Sequence, residues 1–161
     1  MQTGKNKINS ASVLTLGCSK NVVDSESFIA QLRANDIEVT NDTNGADAMI
    51  INTCGFIGPA KEENVQVILE ACELKKQGKL KKLIVTGCLS ERYPKQLSSQ
   101  IEGVDHFFGV NSDKKIIGAL SGDYKHNLVG EQRILTPQHF TYIKISEGCD
   151  HPCSFCAIPL I

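Results

Sequence analysis

The sequence predicts an α/β domain in which helices cover both faces of a doubly wound, five-stranded parallel sheet. Two observations predict this fold. Short runs of β-branched and other apolar residues alternate along the chain with segments of helical periodicity. The runs are apolar throughout, which is typical of strands buried on both faces of a parallel sheet. The alternation stops near Leu120, and we therefore assign this domain to residues 1–120.

Five strands and four helices are predicted within this domain. The strands correspond to SVLTLGC, IEVT, AMIINTC, KKLIVTGC and VDHFFGV. The first helix covers NVVDSESFIAQLRAND, with Asn21 as its N-cap. The second begins near Pro59, carries lysines in its last turn and ends at a glycine. Ser90 is expected to cap the third helix, and SDKKIIGAL predicts the fourth.

Two further segments follow the α/β domain. Residues 121–138 contain glycine, proline and polar residues without a period, so we interpret them as a linker. In residues 139–161, His139 is followed by FTYIKIS, which predicts another strand, and then by a loop with three cysteines. We expect few contacts between this last segment and the α/β domain, with Glu147 and His151 in solvent.

The composition argues against several classes of protein. Of the 161 residues, 41% are hydrophobic and 22% are charged, which is typical of a soluble globular protein. The formal net charge of -1 does not support direct contact with nucleic acid. The first residues contain no apolar signal segment, and no apolar run approaches the roughly 20 residues of a membrane helix. We therefore expect a cytoplasmic protein without membrane contact.

Cysteines give the strongest functional signal. The chain has seven of them, an odd number that cannot be paired completely in disulfides, and clustered cysteines in a reducing compartment indicate metal or redox chemistry. Cys18, Cys54 and Cys88, here called the edge cysteines, each end a predicted strand. Because the carboxyl ends of parallel strands share one edge of a sheet, the three thiols are expected to converge there.

Core packing is the alternative interpretation of any one of these thiols, since cysteine is among the most often buried residue types. Three cysteines at the same relative position favour a joint metal site instead. Cys72 is different, because it completes the apolar stripe of the second predicted helix and is expected to pack in the core.

The last segment contains the more specific motif. Cys149, Cys153 and Cys156, here called the loop cysteines, have the spacing C-x3-C-x2-C. Three thiolates so spaced can bind three irons of a cubane cluster and leave the fourth iron open. Two alternatives stay open: a redox-active C-x2-C pair, and a zinc site of three thiolates and His151.

The residues around both cysteine sets resemble a known family. The stretch YIKISEGCDHPCSFC is similar to the radical S-adenosylmethionine motif, and TLGCSKN, NTCGFI and TGCLSERY resemble the N-terminal domain of the methylthiotransferases. The flanking residues are closer to the branch that modifies ribosomal protein S12 than to the branch that modifies tRNA adenosine. The resemblance extends from about Ser12 to the last residue. It implies the N-terminal part of a longer enzyme, inactive by itself, with the rest of a radical-enzyme barrel and a substrate-binding domain missing.

The resemblance also implies two 4Fe-4S clusters and S-adenosylmethionine as cofactors. The loop cysteines would hold the cluster whose open iron binds S-adenosylmethionine, with Phe155 near the adenine. Reduction by an electron donor protein would generate a 5'-deoxyadenosyl radical that takes hydrogen from the β-carbon of an aspartate in S12. The edge cysteines would hold the auxiliary cluster that carries or donates sulfur, and the product would be 3-methylthioaspartate.

Two rival functions stay open from the sequence. The same chemistry would act on tRNA in the other branch of the family. A non-catalytic zinc or iron-sulfur scaffold would instead present the α/β domain to a partner, and it would tolerate substitution of the edge cysteines.

Overall fold

The computed structural model describes residues 7–43, 45–55, 57–128, 135–137 and 139–161. Its centre is a sheet of five parallel strands in the spatial order β2-β1-β3-β4-β5. The strands are β1 (Ser10–Thr15), β2 (Glu38–Val39), β3 (Ala48–Thr53), β4 (Lys82–Gly87) and β5 (His106–Phe107). The structure thus confirms the predicted doubly wound α/β fold, and its strand order reverses direction between β1 and β3.

Five α-helices surround the sheet in the described ranges. They are α1 (Ser19–Arg33), α2 (Gly58–Lys76), α3 (Cys88–Arg92), α4 (Pro94–Gln100) and α5 (Asp113–Ala119). Two short 3-10 helices follow, His126–Leu128 and Ile158–Leu160. None of the helices in the described ranges has the length and apolar composition needed to cross a membrane.

The sheet separates two hydrophobic cores. All six residues of β3 are buried, and successive side chains point to opposite faces, so that Ile50 belongs to one core and Ile51 to the other. The core on the Ile50 side includes Phe28 and Leu32 of α1. The core on the Ile51 side includes Cys72 of α2, which is only 2% exposed. The prediction that Cys72 packs in the core is confirmed.

The start of α1 differs from the prediction. β1 ends at Thr15, α1 begins at Ser19, and Cys18 occupies the N-cap position that we expected for Asn21. Asn21 lies in the first turn of the helix and is buried. Its side-chain amide donates to two backbone carbonyls at the ends of β1 and β3, so the amide is used between strands instead of as a cap.

The third predicted helix is divided in two. Proline disfavours helical backbone in the residue before it, and Tyr93, which precedes Pro94, has φ −129° and ψ 45°. The chain therefore leaves α3 at Arg92 and restarts as α4 at Pro94. Ser90, expected as a cap, lies inside α3 and is buried.

The predicted strand over FTYIKIS is absent, since residues 140–146 have no regular secondary structure. A strand requires a neighbouring backbone to share its hydrogen bonds. This segment instead contacts α1 through side chains, since Lys144 Nζ lies 2.6 Å from Asp24 Oδ1 and Glu147 pairs with both Lys20 and Lys144. The expectation of few contacts with the α/β domain, and of a solvated Glu147, is therefore wrong.

Candidate metal centre

The edge cysteines follow three neighbouring strands. After β1, Leu16 N donates a backbone hydrogen bond to Asn52 O of β3. Cys18 follows two residues later, directly before α1. Cys54 directly follows β3, and Cys88 is the first residue of α3, directly after β4. Because β1, β3 and β4 are adjacent and parallel, all three cysteines lie at the carboxyl edge of the sheet. This is the edge at which doubly wound sheets bind ligands.

One cavity of about 440 Å³ brings the edge cysteines together. Its wall also contains residues from α1, from the start of α2 and from the C-terminal segment. The lining residues are Gly17, Cys18, Lys20, Cys54, Ile57, Ala60, Cys88, Gly148, Ile158 and Ile161. The convergence expected from the strand ends is thus present as a shared cavity.

Glycines next to the cysteines allow the strand ends to approach each other. Gly17 has φ +100°, and a Cβ atom at this position would collide with the side chain of Cys54. A Cβ at Gly55 would lie 2.8 Å from the carbonyl oxygen of Cys88. Gly87 has φ +97°, which side-chain-bearing residues rarely adopt. Glycine is therefore required at Gly17, Gly55 and Gly87 because a side chain would collide with neighbouring atoms, and at Gly17 and Gly87 also because of the positive φ.

Buried amide side chains fix the backbone between the cysteines. The Asn21 Nδ2 amide donates to Leu16 O at 2.6 Å and to Thr53 O at 3.1 Å. The Asn64 Oδ1 atom accepts from the Cys54 N–H at 2.9 Å. These bonds fix the position of the turn after β1 relative to the turn after β3.

Sequence reasoning missed two of the residues that position this edge. Asn64 lies in the middle of α2, and Arg92 Nη1 donates to Gly55 O at 3.1 Å. An asparagine on the buried face of a predicted helix was the available signal for Asn64, because a buried amide has to find hydrogen-bond partners. Nothing in the local sequence indicated the role of Arg92.

Electrostatics at this edge oppose the ionisation of the Cys88 thiol. Burial raises the pKa of the Cys88 thiol above its ordinary value. The Lys20 ammonium acts in the opposite direction, while Cys54, Cys18 and Glu147 add to the increase through their negative charges. A positively charged group beside Cys88 would therefore favour its thiolate form.

The donor chemistry of the edge cysteines is that of an iron-sulfur site. Soft thiolates are the preferred ligands of iron-sulfur clusters, in which each thiolate binds its own iron. Cys18, Cys54 and Cys88 line one cavity of about 440 Å³. Within the described ranges, no three Cys, His, Asp or Glu side chains are placed to hold one metal ion. The type of donor on this wall is therefore the type that an iron-sulfur cluster uses.

The loop cysteines are not part of this cavity wall. Cys149 is exposed, and Cys153 and Cys156 are half-buried. His151 Nδ1 lies 3.2 Å from Cys153 Sγ, and the Cys156 N–H donates to Cys153 O at 3.2 Å. Phe155 is 91% exposed. The loop is therefore closed on itself by local bonds, with Cys149 and Phe155 accessible to a ligand.

Comparison with known proteins gives the family of this chain. A family model described as "Uncharacterized protein family UPF0004" matches residues 10–109, a range that contains all five strands of the sheet. The chain belongs to this family. The matched range includes all three edge cysteines and excludes the loop cysteines.

Curated relatives confirm the resemblance to the methylthiotransferases. A protein of Chloroherpeton thalassium named "Ribosomal protein uS12 methylthiotransferase RimO" is 52% identical over 161 residues, which is 100% of this chain and 36% of the relative. Relatives of the same name from Flavobacterium johnsoniae and Bacteroides thetaiotaomicron are 53% and 51% identical over 98% and 92% of the chain. The chain covers 36% and 35% of their lengths.

Replacing Asn21 by alanine tests whether its amide holds the edge together. The substitution leaves two strand-end carbonyls without their buried donor, and we expect the free energy of unfolding to fall by about 2 kcal/mol. Urea denaturation measures the change. Asn41→Ala, at an exposed position, is the matched control and is expected to stay within about 0.5 kcal/mol of the parent. Equal stability of the two variants would contradict this role of Asn21.

Proposed function

We propose that this chain is part of a radical S-adenosylmethionine methylthiotransferase that modifies the β-carbon of an aspartate in ribosomal protein S12. One observation carries the proposal: Cys18, Cys54 and Cys88 line one cavity, in a chain whose relatives are named uS12 methylthiotransferases. Since the chain spans 36% of the Chloroherpeton relative, the complete activity belongs to a longer protein, and the 161 residues are expected to be inactive alone.

The edge cysteines would hold one 4Fe-4S cluster in the cavity. Such a cluster would supply the sulfur that the reaction transfers. The chain's own part is to present three thiols on one cavity wall, with the Lys20 ammonium on the same wall to favour the ionised form of Cys88. Ile57, Ile158 and Ile161 make the rest of the wall apolar and so limit the access of water.

The loop cysteines would hold a second 4Fe-4S cluster through Cys149, Cys153 and Cys156. Three ligands leave one iron open, and this iron would bind S-adenosylmethionine. The exposed ring of Phe155 is available to contact the adenine of that cofactor. An electron donor protein would supply the reducing electron.

The proposed domain boundaries follow the predicted ones. Residues 1–120 would form the methylthiotransferase N-terminal domain, residues 121–138 a linker and residues 139–161 the start of the radical S-adenosylmethionine domain. The match of the family model to residues 10–109 and the end of α5 at Ala119 support the first boundary. We place the complete protein in the cytoplasm, where ribosomal protein S12 is available, without membrane contact.

Iron analysis tests the two-cluster proposal. After anaerobic reconstitution, we expect the parent chain to bind up to about eight irons with matching acid-labile sulfide. A Cys18→Ala, Cys54→Ala, Cys88→Ala variant should lose about four of them, and a triple variant of the loop cysteines the other four. Cys72→Ala is the matched control, and it should keep all the iron because Cys72 packs in the core. An edge variant that retains all its iron would overturn the assignment.

Mass spectrometry of ribosomal protein S12 and of tRNA tests the substrate. A strain that lacks the gene should lose the methylthio group on the S12 aspartate and keep all tRNA modifications. Complementation with the intact gene should restore it, whereas a gene carrying Cys54→Ala should not. Loss on tRNA alone would assign the chain to the other branch of the family. Unchanged modification of both S12 and tRNA would contradict the enzymatic proposal and favour the non-catalytic scaffold.

A further inference from the structure

Helix α1 makes a series of contacts with the chain segment that precedes the loop cysteines. We call the described residues between Asp123 and Glu147 the strap. The contacts begin at the C-terminal end of α1, where Asn35 Oδ1, just beyond the helix, accepts from the Asp123 N–H at 2.6 Å. One turn earlier, Gln31 accepts from Lys125 N at 2.9 Å and donates to Lys125 O at 2.8 Å. Each amide thus binds strap backbone, independently of the strap's side chains.

The contacts continue toward the N-terminal end of α1. Glu26 Oε1 accepts from the N–H groups of Leu135 at 2.8 Å and of Thr136 at 3.2 Å. Asp24 then pairs with Lys144, as described above. The order of contacts along the strap is therefore the reverse of the residue order along α1, so the strap runs antiparallel to the helix and back toward the carboxyl edge of the sheet.

The strap contacts two flanks of the helix. At 100° per residue, Lys20, Asp24 and Gln31 lie within about 40° of each other around α1. Glu26 lies on a different flank, about 140° from Gln31 by the same spacing. Both Gln31 and Glu26 are only 1% exposed. A carboxylate and an amide are stable at such depth only when hydrogen-bonded, and the strap backbone supplies these bonds.

The far end of the strap meets the cavity. Glu147 pairs with Lys20, which lines the cavity with the edge cysteines. The next residue, Gly148, lies on the cavity wall and directly precedes Cys149. The series of contacts with α1 therefore ends beside the cavity, directly before the first loop cysteine.

We propose that α1 holds the strap in a fixed position and that Glu26, Gln31 and Lys20 are positioning residues for the loop cysteines beside the cavity. The segment interpreted from its sequence as a linker is, on this proposal, a structural element that sets the separation of the two cysteine sets. The role of the strap in placing two clusters rests on the proposed function. The prediction that α1 holds the strap in a fixed position does not depend on that function.

Hydrogen exchange of the full metal-free chain, followed by mass spectrometry, tests whether α1 holds the strap in a fixed position. We expect protected amides at Leu135 and Thr136 in the parent and exchange at least about tenfold faster there in Glu26→Ala, with β3 unchanged. Glu26→Gln retains an acceptor oxygen and should recover part of the protection. Arg33→Ala is the matched control, because Arg33 is exposed in the last turn of the same helix. Fast exchange at both amides in the parent, or no acceleration in Glu26→Ala, would overturn the proposal.

A second variant covers the case in which Glu26→Ala does not fold. Lys144→Ala removes the contacts with Asp24 and Glu147 from the strap side and leaves α1 intact. It should free residues 139–147 from α1, and we expect chymotrypsin to cleave after Tyr142 about tenfold faster than in the parent. An unchanged cleavage rate would contradict the proposal equally.

Reconstitution of the same variants separates this proposal from the proposed function. In the parent with both clusters reduced, we expect magnetic interaction between them to broaden the electron paramagnetic resonance spectrum, and less broadening in Glu26→Ala at equal iron content. Protected strap amides in a parent that binds no iron would leave the strap proposal intact and defeat the proposed function. Full iron content with identical broadening in parent and variant would defeat the positioning role alone.

Discussion

Three neighbouring strands, β1, β3 and β4, run parallel and in register, and this pairing determines where the cysteines that follow them lie. Backbone hydrogen bonds of β1 and β4 to the fully buried β3 leave little freedom for the strand ends, because a change in register would move buried side chains to the opposite face. Since the order of strands reverses between β1 and β3, the helices after these strands lie on opposite faces of the sheet and leave a crevice between them. The cavity of the edge cysteines is located at this crevice.

The strands alone do not bring the thiols to one cavity. Gly17 and Gly55 remove the side-chain atoms that would keep neighbouring turns apart, and the Asn21 amide connects the ends of β1 and β3. These interactions involve protein atoms alone. Burial raises the pKa of the Cys88 thiol, and a cationic group in the cavity would act against this increase.

Much of this arrangement could be predicted from sequence, because it depends on local pattern. Apolar runs alternating with helical segments predicted the sheet, and the position of each cysteine after a run predicted the shared edge. The hydrogen-bond partners of Asn21 could not be predicted, because an asparagine before an apolar helix pattern can cap the helix or connect two strands equally well. The break at Tyr93 was available from Pro94 and was overlooked. The contacts of Glu26 with Leu135 and Thr136 join residues more than a hundred positions apart, and nothing in either stretch indicates the other.

Iron-edge anomalous diffraction from anaerobically reconstituted crystals of the intact protein would show whether the edge cysteines bind iron. We predict anomalous density for a multi-iron cluster within the cavity, bonded to the sulfurs of Cys18, Cys54 and Cys88, in addition to density at the loop cysteines. Density at the loop cysteines alone, with the three edge thiols packed without metal, would contradict this prediction. In that case the convergence of the three strand ends would be a feature of the core, and the sulfur-carrying role of this domain would lose its support.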